Sequence, residues 1–256
     1  MNLIYLVFFF LLGLVMGSFF CVVGLRLVRK ENFVTGRSYC DSCYHELYPK
    51  DLIPLISFIS LKGRCRYCKN KISPLSFFIE LFTGILFMIA FYSFSFSIDL
   101  LIALAAISLT MIIFASDLTY LIISDEVLTF FSILFIVLNF FKYGFIGGLK
   151  MVMGAVFLFG IMYLLMKFGD FLLKKESLGG GDVKLLFVIG LVLEPLLGII
   201  NIFLGSFIAL PVSIFLYQKN KEHVIPFGPF LSVAFLIIIF SKVTQNDVIN
   251  LILNLS

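Results

Sequence analysis

The chain has 256 residues, of which 61% are apolar and only 13% carry a charge. Soluble domains are about 45–50% apolar and about 25% charged, so this composition excludes a soluble domain as well as a disordered or collagen-like chain. The net charge of +4 is unevenly spread, because ten of the 19 Lys and Arg lie between Arg26 and Lys71. The apolar runs are continuous rather than alternating as in a transmembrane β-barrel, which predicts an all-α polytopic membrane protein.

Residues 1–25 contain no charged side chain and are followed by Arg26, Arg29 and Lys30. A secretory signal peptide has its basic residues before the apolar stretch, so this reversed order predicts an uncleaved first transmembrane helix with its N-terminus outside. Residues 26–74 form the long polar segment of the chain, and residues 75–256 are predicted to form a seven-helix membrane domain.

The further spans are predicted at about 75–93, 98–117, 126–142, 146–168, 183–197, 198–217 and 226–243. The division within 183–217 rests only on Glu194, Pro195 and nearby glycines. About eight spans in total place both termini outside and leave four loops inside: 26–74, 118–125, 169–182 and 218–225.

The distribution of lysines supports this orientation. Three lysines are predicted to lie outside: Lys142, Lys150 and Lys242. Five others are predicted to lie at or near the inside face, on the same side as the basic loop: Lys174, Lys175, Lys184, Lys219 and Lys221. Short loops rich in Lys and Arg stay in the cytoplasm. The basic cluster could also suggest nucleic acid or anionic lipid, but the topological interpretation is simpler, and we expect no nucleic-acid partner.

Four of the five cysteines form two pairs, Cys40-x2-Cys43 and Cys65-x2-Cys68, in a short internal repeat with a period of 25 residues. Each pair is typical of a metal knuckle, and four thiolates suit a tetrahedral, structural zinc ion with no open position for water. Two disulfides are the alternative, which the reducing cytoplasm disfavours. The fifth cysteine, Cys21, is predicted to be a packing residue.

Acidic residues in or beside membrane helices are costly and are therefore functional candidates. Asp117 ends one apolar run, and Asp182 opens another directly after Gly179, Gly180 and Gly181. The topology puts both carboxylates at the cytoplasmic end of their spans, where they could meet, share a proton and act as the acid and base of an aspartic protease. The glycines would let the backbone approach a substrate peptide closely. Asp182 could also be a simple N-cap, and Asp117 an interfacial cap.

Several segments together resemble the type IV prepilin peptidases, a family of membrane aspartic proteases that are also N-methyltransferases. The resemblance covers most of the chain and rests on the following segments: Gly17-Ser18-Phe19 with Arg26, the paired cysteines, Pro74 to Glu80 with Thr83-Gly84, Asp117 with Asp125, Gly179 to Leu185, and Pro226 to Phe230. The chain departs from the family pattern at Cys21, where many members have Asn, and at Ser124, where Pro is frequent.

The resemblance implies an enzyme, a prepilin leader peptidase, in which Asp117 and Asp182 are catalytic. Gly179, Gly181, Lys184, Asp125 and Glu80 would support the active site. The implied substrates are prepilins or pseudopilins, of pili, secretion or competence systems, cut after the Gly of a short basic leader. The protein would lie in lipid as a multi-pass protein of the bacterial cytoplasmic membrane, with its active site facing the cytoplasm. S-adenosylmethionine would serve N-methylation, and this part of the function rests on resemblance alone.

Two other functions fit parts of the pattern. An ion-coupled transporter would also contain membrane carboxylates and helices interrupted by glycine, although its carboxylates would tend to lie at the bilayer midplane. A non-catalytic, zinc-bearing membrane scaffold would need the cysteines but not the aspartates.

Overall fold

The computed structural model describes residues 3–174, 178–219 and 225–255, and within these ranges its regular structure is helical apart from two isolated β-bridges. The predicted positions 175 and 221 lie outside the described residues. The α-helices are α1 (Leu3–Val28), α2 (Ile56–Ser60), α3 (Leu75–Phe94), α4 (Ile98–Tyr120), α5 (Asp125–Leu173), α6 (Gly180–Gly190), α7 (Pro195–Lys219), α8 (Gly228–Ser241) and α9 (Gln245–Leu255). The all-α membrane class predicted from the sequence is confirmed.

Helices α1 and α3 pack against each other, and both pack against α4. The approach of α1 to α3 is close at Gly17, where a Cβ atom would stand 2.8 Å from the Cα atom of Glu80 and from the hydroxyl oxygen of Thr83. Small residues allow such close contact between membrane helices. The polar segment between the two helices contains α2 and a short 3-10 turn, Pro49–Asp51.

Helix α4 is the most enclosed of the long helices and packs on four others: α1, α3, α5 and α8. It begins where the Ser97 side chain accepts a hydrogen bond from the N–H of Leu100, at 3.2 Å. It ends at Tyr120, because Leu121 adopts a left-handed conformation with φ 56°. Its last turn contains Asp117.

Helix α5 contains 49 residues, which would be about 73 Å of unbroken helix, although the bilayer core is about 30 Å thick. The helix is interrupted at Gly144, which has φ 69° and ψ −176°, a conformation available mainly to glycine. The kink divides α5 into a first and a second segment, as the predicted spans 126–142 and 146–168 require.

The predicted span 183–197 is wrong in its boundaries. Helix α6 ends at Gly190, the chain turns through residues 191–194, and α7 starts at Pro195. At 1.5 Å per residue, the 11 residues of α6 cover only about 16 Å. The sequence-based prediction placed the helix end too late because the residues of this turn are mostly apolar. The boundary is instead marked by Pro195, since proline favours the first turn of a helix.

The last predicted span, 226–243, consists of the 14-residue α8, and the chain then bends by 84° into α9. Helix α9 was not predicted. Among the described residues, five helices are long and apolar enough to cross a membrane, or six if α8 and α9 form one bent span. Counting α5 as two spans and adding the short α6 gives the eight that were predicted.

Candidate active site and metal centre

Asp117 lies in the last turn of α4 and is 5% exposed. The N–H of Gly228, the first residue of α8, points to its carboxylate. The second carboxylate oxygen, Oδ2, is buried and accepts no hydrogen bond from the described residues. A buried acceptor without a partner is costly, so this oxygen is suited to a substrate, a water molecule or a proton.

Asp182 lies in the first turn of α6 and is 8% exposed. The N–H of Gly179 points to its carboxylate, and the N–H of Asp182 donates to the carbonyl of Gly179 at 3.1 Å. The residue is therefore held by the turn that starts the helix. The dipole at a helix N-terminus stabilises a negative charge there.

Helix α6 packs mainly on α5, and α8 provides its link to α4, which carries Asp117. Helix α8 packs against both α4 and α6, and the charge of Asp117 acts on Asp182. Ile123 connects the two halves, because its side chain would stand 3.2 Å from a Cβ atom at Gly181 and 2.8 Å from one at Gly228. Two carboxylates that share one buried site cannot both ionise cheaply.

Lys184 and Asp125 form an ion pair beside the aspartates, with both carboxylate oxygens 2.7 Å from the lysine nitrogen. The pair joins the start of α5 to the first turn of α6, two residues after Asp182. Both side chains are more than half exposed. Gly179 and Gly181 precede Asp182 in the same turn of the chain, so four of the five predicted supporting residues are found together with the two aspartates.

Glu80 has its contacts elsewhere. Its carboxylate accepts a hydrogen bond from the N–H of Leu55 at 2.9 Å, and a second one from the hydroxyl of Ser18. Leu55 has φ 59°, a strained value for a residue that is not glycine. Glu80 therefore joins α1 and α3 to the polar loop through a backbone N–H and a side-chain hydroxyl.

The four predicted metal ligands are brought together. The sulfur atoms of Cys40, Cys43, Cys65 and Cys68 all lie within 4.8 Å of one another, and those of Cys40 and Cys68 are 3.9 Å apart. Ligands 2.3 Å from a tetrahedral ion stand about 3.8 Å from each other. All four cysteines are free rather than paired in disulfides. The cluster fits a metal ion.

The internal repeat is visible in the backbone of the two knuckles. The N–H of Cys40 donates to the backbone carbonyl of His45 at 3.0 Å, and the N–H of Cys65 donates to the backbone carbonyl of Asn70 at 2.9 Å. Each turn also contains one residue with a positive φ: Tyr44 in the first knuckle and Lys69, 25 positions later, in the second. The two halves of the loop therefore present their sulfurs with the same turn.

The environment of Cys65 favours a thiolate. Burial alone would raise the pKa of this thiol, but the N–H groups of Cys68 and Tyr67, together with the neighbouring sulfurs, outweigh burial and lower the pKa to about 7. A metal-binding cysteine must lose its proton, so a lowered pKa assists binding.

Two family models match the chain. The model described as the bacterial Peptidase A24 N-terminal domain matches residues 11–94, and the model described as the type IV leader peptidase family matches residues 102–214. The prepilin leader peptidase/N-methyltransferase of Bacillus subtilis is 34% identical over 190 residues, which cover 72% of each chain. The chain belongs to the type IV prepilin leader peptidase family.

Other proteins with the same name are also similar to this chain. The Vibrio cholerae protein is 29% identical over 259 residues, covering 94% of this chain and 98% of that protein. The Klebsiella pneumoniae protein is 34% identical over 192 residues, covering 72% of this chain and 82% of that protein. No solved structure matches this member of the leader peptidase family.

Sequence reasoning missed three residues at the two sites of this leader peptidase family member. Gly228 belongs to the segment Pro226 to Phe230 that resembles the family, but it was not predicted as a site residue, although its N–H points to Asp117. Ile123 gave no signal, because an isoleucine in an apolar stretch is common. Asp51, whose side chain is 3% exposed, accepts from Arg66 at 2.6 Å and thereby holds the second knuckle.

Proposed function

We propose that this protein is a membrane aspartic endopeptidase that removes the short basic leader of type IV prepilins or pseudopilins, cutting after the leader Gly. The observation that carries the proposal is the buried pair of Asp117 and Asp182, contributed by the end of one membrane helix and the start of another. The names of the relatives supply the substrate class.

The proposed hydrolysis follows from one proton shared by two carboxylates. The ionised carboxylate removes a proton from a water molecule as its oxygen attacks the scissile carbonyl, and the protonated one donates its proton to the carbonyl oxygen. Collapse of the tetrahedral intermediate breaks the C–N bond: the proton taken from water passes to the leaving amine, and the proton on the former carbonyl oxygen returns to the carboxylate that donated it, which restores the dyad. The atoms balance as one water consumed for one peptide bond.

The surroundings of the dyad have separate supporting roles in this proposal. The N–H groups of Gly228 and Gly179 orient the two carboxylates. The Lys184–Asp125 pair fixes the start of α6 against α5. Glu80 acts at a distance, because it holds the polar loop on α1 and α3 rather than touching the aspartates.

We further propose that the site lies at the cytoplasmic face of the bacterial cytoplasmic membrane. The 18 residues from Asp99 to Asp117 span about 27 Å of helix, nearly the thickness of the bilayer core. The aspartates are therefore near one membrane surface and Asp99 near the other. The basic loop is at the same end as the aspartates, since Arg29 at the end of α1 donates to the hydroxyl of Tyr120 at 2.5 Å.

Two cofactors belong to the proposal. A structural zinc ion would be held by Cys40, Cys43, Cys65 and Cys68 and would fix the fold of the loop. S-adenosylmethionine would supply a methyl group for the new N-terminal amine, as the names of the relatives suggest. The described residues form no Gly-rich strand-to-helix turn of the soluble cofactor-binding type, so no step of methylation is derived from them.

A co-expression experiment tests the proposal. A prepilin with a basic leader is expressed with the wild-type chain, with Asp117→Asn or with Asp182→Asn, and the product is weighed by mass spectrometry. We expect cleavage after the leader Gly by the wild type only, and a 14 Da increment if the amine is methylated once. Cleavage by both mutants would rule out the aspartate mechanism.

A further inference from the structure

A cavity lies at the end of the helix bundle opposite the aspartates. Its volume is about 550 Å³, and it opens between the start of α4, the kink region of α5, the turn before α7 and the bend between α8 and α9. Its polar side chains include Asp99, Asn139, Lys142, Glu194 and Lys242. The peptidase site uses none of them.

The charges around this cavity are not all paired with one another. Lys142 is neutralised by Asp99, at 2.5 Å. The ammonium group of Lys242 instead donates to the carbonyl of Ser93 at 2.5 Å and lies over the ring of Phe94. None of the ion pairs among the described residues includes Lys242.

Glu194 supplies the opposite charge on the same cavity. Its carboxylate accepts a hydrogen bond from the N–H of Gln245 at 3.2 Å, and it too forms no ion pair within the described ranges. One cation and one anion thus face the same space without pairing with each other. A ligand with one negative and one positive group would complement both.

The position of the cavity fits the headgroup level of a membrane. Helix α9, which begins at its edge, has one apolar and one polar face and is turned 84° from α8. Amphipathic helices of this kind lie in the membrane interface. The length of α4 between Asp99 and Asp117 also puts the cavity at the membrane surface opposite the dyad.

We propose that this cavity binds the phosphoethanolamine headgroup of a phospholipid. The phosphate would pair with Lys242 and the ammonium group with Glu194, while the glycerol and the first acyl carbons would contact the apolar side chains Leu197, Ile238 and Ile239 that line the same space. An anionic lipid such as phosphatidylglycerol would leave Glu194 unmatched. Phosphatidylcholine has a quaternary amine that donates no N–H hydrogen bond to the carboxylate.

Native mass spectrometry of the full-length protein in detergent tests the proposal. The delipidated wild type is offered phosphatidylethanolamine, phosphatidylglycerol and phosphatidylcholine with identical acyl chains. We expect phosphatidylethanolamine to be retained about tenfold more tightly than the other two, which corresponds to about 1.4 kcal/mol. Equal retention of the three lipids would overturn the proposal without any mutant.

Variants assign the site. Lys242→Gln and Glu194→Gln should each remove the preference for phosphatidylethanolamine, and the double exchange Lys242→Glu with Glu194→Lys should restore part of it. Lys150→Gln is the matched control, because this exposed lysine belongs to the same predicted face but does not line the cavity. An undiminished preference in both single variants would contradict the assignment.

A third experiment tests whether the headgroup alone is enough for binding or the whole lipid is needed. Soluble phosphoethanolamine is added to the wild type while the thermal unfolding temperature is recorded. Stabilisation by the soluble compound at the concentration that the lipid requires would show that the headgroup alone is the ligand. Stabilisation by the lipid only would show that the apolar lining contributes, as we propose.

Discussion

Gly228 and Asp117 are in direct contact across two helices: a Cβ atom at Gly228 would stand 2.9 Å from Oδ2 of the aspartate. The same atom would stand 2.8 Å from Cδ1 of Ile123, whose other side faces Gly181. A real Cβ atom does not approach other atoms so closely, so any side chain at this position has to displace either the carboxylate or its neighbour. The glycine therefore helps to set the geometry around Asp117 as well as the start of α8.

We expect Gly228→Ala to lower prepilin cleavage by at least about tenfold, because a shift of the reacting group by about 1 Å can cost much more than that. Insertion into the membrane should be unchanged. Gly160→Ala is the control, since this glycine lies in the second segment of α5 and a Cβ atom there meets nothing within 4 Å. The measurement is the initial cleavage rate with equal amounts of membrane-inserted enzyme, and a Gly228→Ala enzyme as fast as wild type would contradict the close contact.

Replacing either aspartate should abolish cleavage and leave the protein folded. Asp117→Asn and Asp182→Asn each preserve the shape of the side chain but remove the charge and the shared proton on which acid–base catalysis depends. Glu46→Gln is a suitable control, because this exposed residue forms an ion pair with exposed Arg37, and such surface pairs are worth little. Single-turnover cleavage assays with purified proteins check the expectation, and residual activity in both mutants at the level of the control would refute it.

Breaking the ion pair of Lys184 and Asp125 should slow cleavage less than replacing Asp117 or Asp182. Both groups are largely exposed, so the pair contributes about 1 kcal/mol or less, and its loss should slow cleavage by no more than about fivefold. Asp125→Asn and Lys184→Gln are compared with the exchanged pair Asp125→Lys with Lys184→Asp. Recovery of the rate in the exchanged protein indicates a positioning role. A total loss in Asp125→Asn alone would instead mean that this carboxylate takes part in the chemistry.

The purified protein should contain one metal ion per chain, and zinc is the expected metal. Cys65→Ser removes one of four ligands and should lower the metal content strongly, because its sulfur lies within the cluster and the pKa of its thiol is lowered. Cys21→Ser is the control: this thiol is buried in α1, away from the cluster. Elemental analysis by inductively coupled plasma mass spectrometry gives the content. Finding two disulfides by mass spectrometry under native conditions would exclude the metal site.

Gly144→Ala should lower the free energy of unfolding because alanine disfavours the backbone conformation at this position. The glycine has φ 69°, and a Cβ atom at this position would meet nothing within 4 Å, so no clash contributes. This combination of positive φ with ψ near 180° is essentially restricted to glycine and costs of order 1–3 kcal/mol for other residues. Gly160→Ala, in the second segment of α5 with equal space around it, should leave the thermal unfolding temperature unchanged or raise it. Equal unfolding temperatures for the two variants would argue against the kink.

Much of the site could be predicted from the sequence because its signals are local or set by the bilayer. The spacing of the four cysteines predicts their cluster, and the positions of Asp117 and Asp182 at the ends of apolar runs predict a common depth. The polar and glycine residues around Gly144 similarly separate two spans inside α5. Each of these features follows from residues close in the chain or from the fixed thickness of the membrane.

Other features depend on contacts that no local pattern contains. The partner of Glu80 is the N–H of Leu55, which is 25 positions away and has no side-chain signal. The contact of Gly228 with Asp117 requires α8 to lie on α4. Helix α9 was missed because its 11 residues are too few and too polar for a span, and its two-faced character matters only once the bend after α8 is known.

The close packing of α1 on α3 has a consequence for the metal site. The two knuckles lie on a segment whose ends are joined to these helices, so the membrane domain holds both ends of the segment near each other before any ion binds. The effective concentration of one knuckle at the other is therefore high, and less chain entropy is lost when the four sulfurs gather. The same loop excised as a peptide should bind the metal more weakly than it does in the intact protein, and the ratio of the two affinities would measure what the lipid-embedded helices contribute to a site that lies outside the lipid.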